Sequence, residues 1–361
     1  MKMYEIPWML VQNKIHYYPG GREIDRFRGV TPPKDDNCPE CWVGSDIPMR
    51  YAHLDDDRNR GCAKAILPDG NEKYLFEAIH NDPVKALGTE HVKKEGSALG
   101  VLVKLLDAEK QLGLQAHPSR EYAKRHFGSD FGKEESWYVI GVRDDTPEPP
   151  YILLGFKEGV TREIFEAAYR KQDLPAMEGC CHKIRVQKGD VFFVSAGAPH
   201  AIGGGVFVVE VQEPSDITVG VNAPPDSLNE KEKEEYAQTL LGCYDYHGRN
   251  AQDNAKAYKI PPRIIREGSW GKEVLLIGSE QTRYFSFTQL NAKAPAETLD
   301  VRAPQVGIVL SGSGRLKTEQ GEITVQKADE FFLPYDCHSV SVLPDTGTEL
   351  SLILAKPQIF D

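Results

Sequence analysis

Two short segments of this 361-residue chain carry residue types that bind divalent cations. Leu112-Gly113-Leu114-Gln115-Ala116-His117-Pro118 reads as a short strand. Strand side chains alternate with period two, so Gln115 and His117 share a face. Far downstream, Gly189-Asp190-Val191-Phe192-Phe193-Val194-Ser195-Ala196-Gly197-Ala198-Pro199-His200 reads as turn, strand, turn, and a histidine on the next strand. Leu105, Leu106, Leu112 and Leu114 make the setting of the first pair apolar. An amide and an imidazole buried there cost desolvation free energy unless something satisfies them. Glu135 opens the aromatic run Ser136-Trp137-Tyr138-Val139-Ile140, and its carboxylate has the same need. A lone histidine is more often satisfied by a hydrogen bond; the apolar context is what favours a metal. Gln115 oxygen, His117 nitrogen, Glu135 oxygen and His200 nitrogen form a mixed N/O donor set. It suits one Zn²⁺ per chain, with Co²⁺, Mn²⁺ or Ni²⁺ as substitutes in vitro. An amide is a poor ligand and zinc expands to five positions, so substrate or water still has a place.

The elements that must hold these residues are mostly strands. Residues 205–212 alternate, with Val206, Val208, Glu210 and Gln212 on one face and Phe207, Val209 and Val211 on the other. Residues 136–142 and 151–156 are aromatic and β-branched, hence strand-like. Helices are fewer. Thr161 caps a predicted helix to Gln172, with Ile164, Phe165, Ala168 and Tyr169 at helical spacing. A second is predicted from Ser227 to Leu241, its Glu/Lys run forming a solvated face. Residues 248–262, polar and ending in Pro261-Pro262, read as a linker. Lys188 to Ser195 with His200 is echoed by Lys327 to Pro334 with His338, which predicts two related β units. His338 lacks companion ligands nearby and reads as a hydrogen-bonded histidine in a metal-free second barrel.

Composition narrows the functional classes. A formal charge of −11, from 43 basic and 54 acidic residues, disfavours nucleic acid and anionic membranes as main partners. No window approaches an apolar membrane span, and residues 1–5 resemble no signal peptide. Seven irregularly spaced cysteines fit reduced thiols in a cytoplasm. Cys38-x-x-Cys41 has half of a structural zinc spacing and no second half.

Together these residues resemble class I mannose-6-phosphate isomerases, a cupin family, over most of the chain. Glu40-Cys41-Trp42-Val43-Gly44 is similar to the family's N-terminal ExW-G segment. Lys104 lies in a strand preceding Gln115-Ala116-His117-Pro118, as the family's lysine-bearing strand precedes its QxHP. Lys133-Glu134-Glu135, the 189–202 segment, and Glu210 through Ser215-Asp216 follow in the family's order. The resemblance implies zinc ligands at Gln115, His117, Glu135 and His200. It also implies a mainly β fold with a smaller helical part: two cupin (jelly-roll) β-barrels plus a helical insert. On that basis the catalytic barrel spans 1–150 and 183–222, helical segments and linker 151–182 and 223–262, and a metal-free barrel 263–361. Three departures stand out. Gly220 replaces an arginine four residues after Asp216, Gly113 replaces a serine assigned to phosphate, and Gly132 precedes Lys133 where many members have histidine.

The implied reaction interconverts mannose 6-phosphate and fructose 6-phosphate through a cis-enediol. It needs a Lewis acid and an acid/base group within reach of C1 and C2. Lys133, Glu210 and Asp216 are the acid/base candidates, and Trp42 and Lys104 the substrate-binding ones. Structural alternatives are a salt bridge for Lys133, a hydrogen bond for Glu210, an Asx-turn for Asp216 and core packing for Trp42. The competing readings are an isomerase of an unphosphorylated or differently substituted sugar, and a non-catalytic metal-bound cupin that senses sugar. The expected partner is a small sugar or sugar phosphate, with a monomer or homodimer as the assembly.

Overall fold

The computed structural model of the protein describes residues 2–50, 57–295 and 299–358. The chain is mainly β with a smaller helical part, as the sequence predicts. It divides into two compact units, Met1–Leu106 with Val209–Pro214 and Pro261–Asp361, and Asp107–Val208 with Ser215–Ile260.

In the first unit a nine-stranded sheet runs in the spatial order Arg263–Gly268, Gly271–Ile277, Phe285–Ala292, Leu350–Pro357, Gln305–Ser311, Glu330–Leu333, Trp8–Val11, Lys64–Ile66 and Glu72–Tyr74. A four-stranded sheet consists of Leu299–Asp300, Ser339–Pro344, Ser313–Lys317 and Glu322–Gln326. Leu290, Val309, Leu352 and Leu354 of the first meet Leu316, Val325, Val340 and Val342 of the second in one core. Alternation makes this possible: every second residue faces inward, so two sheets share one apolar layer. The N-terminal strand joins this sheet by pairing Trp8 with Phe332 and Met9 with Phe331. The Trp8 and Phe332 rings lie 5.3 Å apart. Elsewhere in the unit, Glu40–Val43 runs antiparallel to Leu102–Asp107, with Trp42 opposite Lys104.

In the second unit a five-stranded sheet has the order Cys181–Arg185, Tyr151–Phe156, His200–Ile202, Gln115–Ala116 and Val219–Gly220. Glu135–Val142 pairs with Val191–Val194. Helices cover one apolar cluster in which Phe156, Phe165, Tyr169, Leu240, Leu241 and Tyr244 are all buried.

Helix boundaries differ from the sequence reading in instructive ways. Arg162–Arg170 begins after Thr161, whose hydroxyl accepts from Ile164 N. Phe165 and Tyr169 face the core, but Ile164 is exposed, one step around from the buried stripe. The helix predicted from Ser227 to Leu241 is Glu230–Cys243, because Asn229 rather than Ser227 forms the cap, in a reciprocal capping box with Glu232. Residues 248–262 are not a plain linker. Asn250 accepts from Gln252 N and Asp253 N and starts the helix Ala251–Tyr258, which buries Asn254 and Tyr258. His338 is also unlike its expectation. It is exposed, with φ of 49°; its ring stands edge-on to Tyr335 with centroids 5.5 Å apart, and Asp336 Oδ1 lies 4.0 Å from its Nε2.

All seven cysteines are free thiols. Arg28 Nη2 lies 2.8 Å from Cys41 Sγ, and neither Cys38 nor Cys41 joins a metal-binding group among the described residues. No described helix is long and apolar enough to cross a membrane.

Candidate metal centre

His117, Glu135 and His200 are buried, and their ligand atoms lie within 4.8 Å of one another. Three backbone features bring them together. His200 pairs with Gln115 across two adjacent strands, which sets the second histidine beside the Gln115-x-His117 face. Glu135 is the first residue of its strand and pairs with Val194. Lys133 N donates to Pro118 O at 2.9 Å, which draws the 132–135 segment against the turn after His117. Gly132 makes that approach possible: a Cβ there would lie 2.6 Å from Arg120 N and 2.7 Å from Pro118 O. On the other side lies Gly197, at φ +79°, where a Cβ would stand 3.0 Å from Asp245 N and Cys243 O. The Gly197 N–H donates to His117 O at 2.8 Å, in a backbone conformation that favours glycine.

Each histidine commits Nδ1 to a backbone carbonyl. His117 Nδ1 donates to Ile217 O at 3.1 Å, and His200 Nδ1 donates to Ala198 O at 2.9 Å. Those bonds fix the tautomer and leave a lone pair on each Nε2. Burial, then the Lys133 ammonium, pushes the His117 imidazole down to about 3; burial also lowers His200. Both rings are neutral near pH 7. Burial alone would raise the Glu135 carboxyl, but the Lys133 ammonium leads the groups that hold it well below its usual range.

The result is a convergence of electron pairs. His117 Nε2 lies 3.1 Å from Glu135 Oε2, and His200 Nε2 lies 3.5 Å from Glu135 Oε1. Neither imidazole has a proton to place between them. Glu135 Oε2 is sealed from solvent without a well-formed hydrogen bond. The positive charge at hand is Lys133 Nζ, 2.9 Å from His117 Nε2 and 3.0 Å from Glu135 Oε2. A buried pair of neutral imidazoles and an ionised carboxylate, aimed at each other and short of a proton, fits a divalent metal. Gln115 Nε2 meets His200 Nε2 at 3.2 Å, and a half-turn about its last side-chain torsion presents Oε1 there instead. Trp137 packs edge-on to His200, with centroids 5.5 Å apart.

The other sequence-predicted residues fall in two places. Asp216 is half-buried, between Ser215 and the Ile217 that accepts from His117. Trp42, Lys104 and Glu210 form a cluster of the first unit. Lys104 Nζ lies 3.3 Å from Glu210 Oε1, 3.9 Å from Glu40 Oε2 and 4.7 Å from the Trp42 ring centroid. Trp42 Nε1 donates to Glu40 Oε2 at 2.8 Å, and Tyr18 OH donates to Glu40 Oε1 at 2.9 Å. Burial, then Glu40, raises the Tyr18 phenol well above its usual range. Trp42 itself is buried against Ile15 and Leu102. Tyr18 and Glu40 were not candidates from sequence, although Glu40 stands two residues before Trp42, on the same strand face.

Residues 10–138 match the model for the catalytic domain of type I phosphomannose isomerases. A mannose-6-phosphate isomerase of Streptococcus mutans is 36% identical over 320 residues, covering 82% of this chain and 89% of that protein. A probable mannose-6-phosphate isomerase of Bacillus subtilis is 30% identical over 316 residues, covering 81% and 89%. Among solved structures, the mannose 6-phosphate isomerase of Bacillus subtilis superposes with a TM-score of 0.71 at 21% identity, over 97% of this chain and 99% of that one. The chain belongs to the class I mannose-6-phosphate isomerase family.

Proposed function

We propose that the protein is a zinc-dependent aldose–ketose isomerase that interconverts mannose 6-phosphate and fructose 6-phosphate through a cis-enediol. The observation that carries the reading is the cluster of two neutral imidazoles and one ionised carboxylate, with both Nδ1 atoms already spent on carbonyls. In this reading Gln115, His117, Glu135 and His200 hold one Zn²⁺. The chemistry zinc supplies when bound is Lewis-acid stabilisation of the oxyanion that develops as a proton leaves the carbon beside a carbonyl.

The chain's own residues do the rest. Lys133, buried beside His117 and Glu135, holds a proton that can pass to a substrate oxygen. Glu210 is a candidate base for the carbon-bound proton, with the Lys104 ammonium 3.3 Å away as its counter-charge. Asp216 is the remaining acid/base candidate. Lys104 and Trp42 take the substrate-binding roles, and Trp42 holds Glu40 through its indole N–H. We place the catalytic barrel at 1–150 and 183–222, the helical segments at 151–182 and 223–262, and the metal-free barrel at 263–361. A cytoplasmic setting and a sugar phosphate partner complete the proposal.

A second reading keeps the chemistry and changes the sugar. A Cβ at Gly113 would meet nothing within 4 Å, and one at Gly220 nothing nearer than 3.8 Å. Neither position offers a side chain to an oxyanion, which favours an unphosphorylated or differently substituted hexose. Incubating the zinc-loaded protein with mannose 6-phosphate, and following fructose 6-phosphate by phosphorus NMR, separates the two. Turnover supports the first reading. Turnover of a free hexose alone removes it, and absence of exchange at C2 in deuterated water for every aldose tried removes both.

A further inference from the structure

The interior of the first unit's two-sheet core changes character at one rim. In the strand Leu350–Pro357, residues Leu350, Leu352, Leu354 and Lys356 alternate onto one face, and the three leucines lie in the apolar core. Lys356 continues that stripe at its end. Its neighbour on one side is Ser286, paired in register. On the other side the register pairs Val306 with Ala355, so Gln305, one step further, flanks Lys356. Serine hydroxyl, lysine ammonium and glutamine amide thus form one row across three adjacent strands, all on the core-facing side.

Ser286 and Gln305 are only 7% and 5% exposed, and Lys356 is half-buried. Among the described residues, no hydrogen bond or ion pair engages the polar tip of any of the three, and none of those tips is sealed from solvent. Buried polar groups are ordinarily paired, so an open row of three points to a partner from outside the chain. The neighbouring charges are already matched. Glu273 accepts from Thr288 Oγ1 at 2.9 Å and from Arg266 Nε at 2.7 Å, and Asp300 accepts from Arg302 Nε at 2.5 Å. Three cations face two carboxylates, and Lys356 is the cation without a contacting counter-ion. Burial lowers its pKa, with Glu273 and Asp300 opposing that at longer range.

We infer that Ser286, Lys356 and Gln305 form a binding site for a small oxyanion, a phosphate or a phosphate ester, at the rim of the metal-free core. The ammonium supplies charge, and the hydroxyl and carboxamide supply directed O–H and N–H donors. None of the three residues belongs to the metal cluster.

The test uses the full chain freed of metal, so that phosphate has no metal to bind. Thermal melting and calorimetric titration are run with inorganic phosphate, mannose 6-phosphate and mannose. Wild type binds phosphate saturably and melts higher with it, and mannose does neither through this row. Lys356→Met weakens phosphate binding by roughly tenfold or more, yet melts at or above wild type without ligand, because an unpaired, half-buried ammonium has gone. Lys356→Arg retains binding, while Ser286→Ala and Gln305→Ala weaken it several-fold. A difference between mannose 6-phosphate and inorganic phosphate that disappears in Lys356→Met identifies the ester as the preferred ligand; equal affinities identify the anion itself. Phosphate also stabilises proteins by exclusion from their surface, and that effect acts on every variant alike. Identical responses of wild type and Lys356→Met, or no saturable binding to wild type at tens of millimolar phosphate, overturn the inference.

Discussion

Glu135 sits between two histidines that cannot donate to it, because each has committed Nδ1 to a carbonyl. Without a metal its close counter-charge is Lys133. Removing one partner of a buried pair leaves the other uncompensated, at a cost of about 3–5 kcal/mol. Glu135→Gln is therefore expected to destabilise the metal-free protein by about 3 kcal/mol, and Lys133→Met/Glu135→Gln to recover most of that loss, as read by urea denaturation. Equal instability of the single and double variants would contradict this pairing. Gly132→Ala places a methyl 2.6 Å from Arg120 N. It should cost about 1–3 kcal/mol and reduce zinc affinity, because the same segment carries Glu135; unchanged zinc affinity in a folded Gly132→Ala protein would count against that positioning role. At this scale the sequence was informative wherever polarity was out of place. Gln115, His117, Glu135 and His200 stand out as polar residues among apolar ones. Tyr18 and Glu40 do not, since an aromatic and a carboxylate near a loop are ordinary until the fold buries them together.

Element identity was legible where period and caps agreed, as in the strand Glu135–Val142 and the helix Arg162–Arg170. It was missed where a cap alone decided. The helix Ala251–Tyr258 has little apolar periodicity and depends on Asn250, so Asn250→Ala should lower stability by about 1 kcal/mol. An unchanged urea midpoint would show the cap to be dispensable. Pairing between distant segments was also hidden. Nothing local ties Trp8 to Phe332, because register between the two ends of a chain is set by tertiary packing. The helix Thr89–Glu95 carries a pH-sensitive group. His91 is buried, its Nε2 lies 2.7 Å from Ala98 O, and burial holds its pKa below 6.5. Below pH 6.5 the unfolded chain takes up a proton that the native helix does not. This residue's contribution is therefore full above that value and declines as pH falls through the window beneath it. Urea titrations between about pH 7.5 and 5 should show a shallower acid decline for His91→Gln than for wild type; parallel declines would exclude His91 as a source of that dependence.

For the whole molecule, the net charge of −11 works against polyanionic partners, and it makes a local anion site dependent on particular cations such as Lys356. The two units have different chemistry. The second contributes the imidazole–carboxylate cluster, and the first contributes the Lys104–Glu210–Glu40 cluster and a core without clustered metal ligands among its described residues. The echo between Lys188–His200 and Lys327–His338 was legible as repetition but not as function. One copy brings its histidine to Glu135 at 3.5 Å, and the other leaves its histidine exposed. The central claim is that one cation binds where His117, Glu135 and His200 converge. An anomalous difference map at the zinc K edge, from crystals of zinc-loaded protein, tests it most directly. The account predicts a single strong peak per chain bounded by both Nε2 atoms and the Glu135 carboxylate; no peak there, or a peak at Cys38 and Cys41 instead, would contradict it.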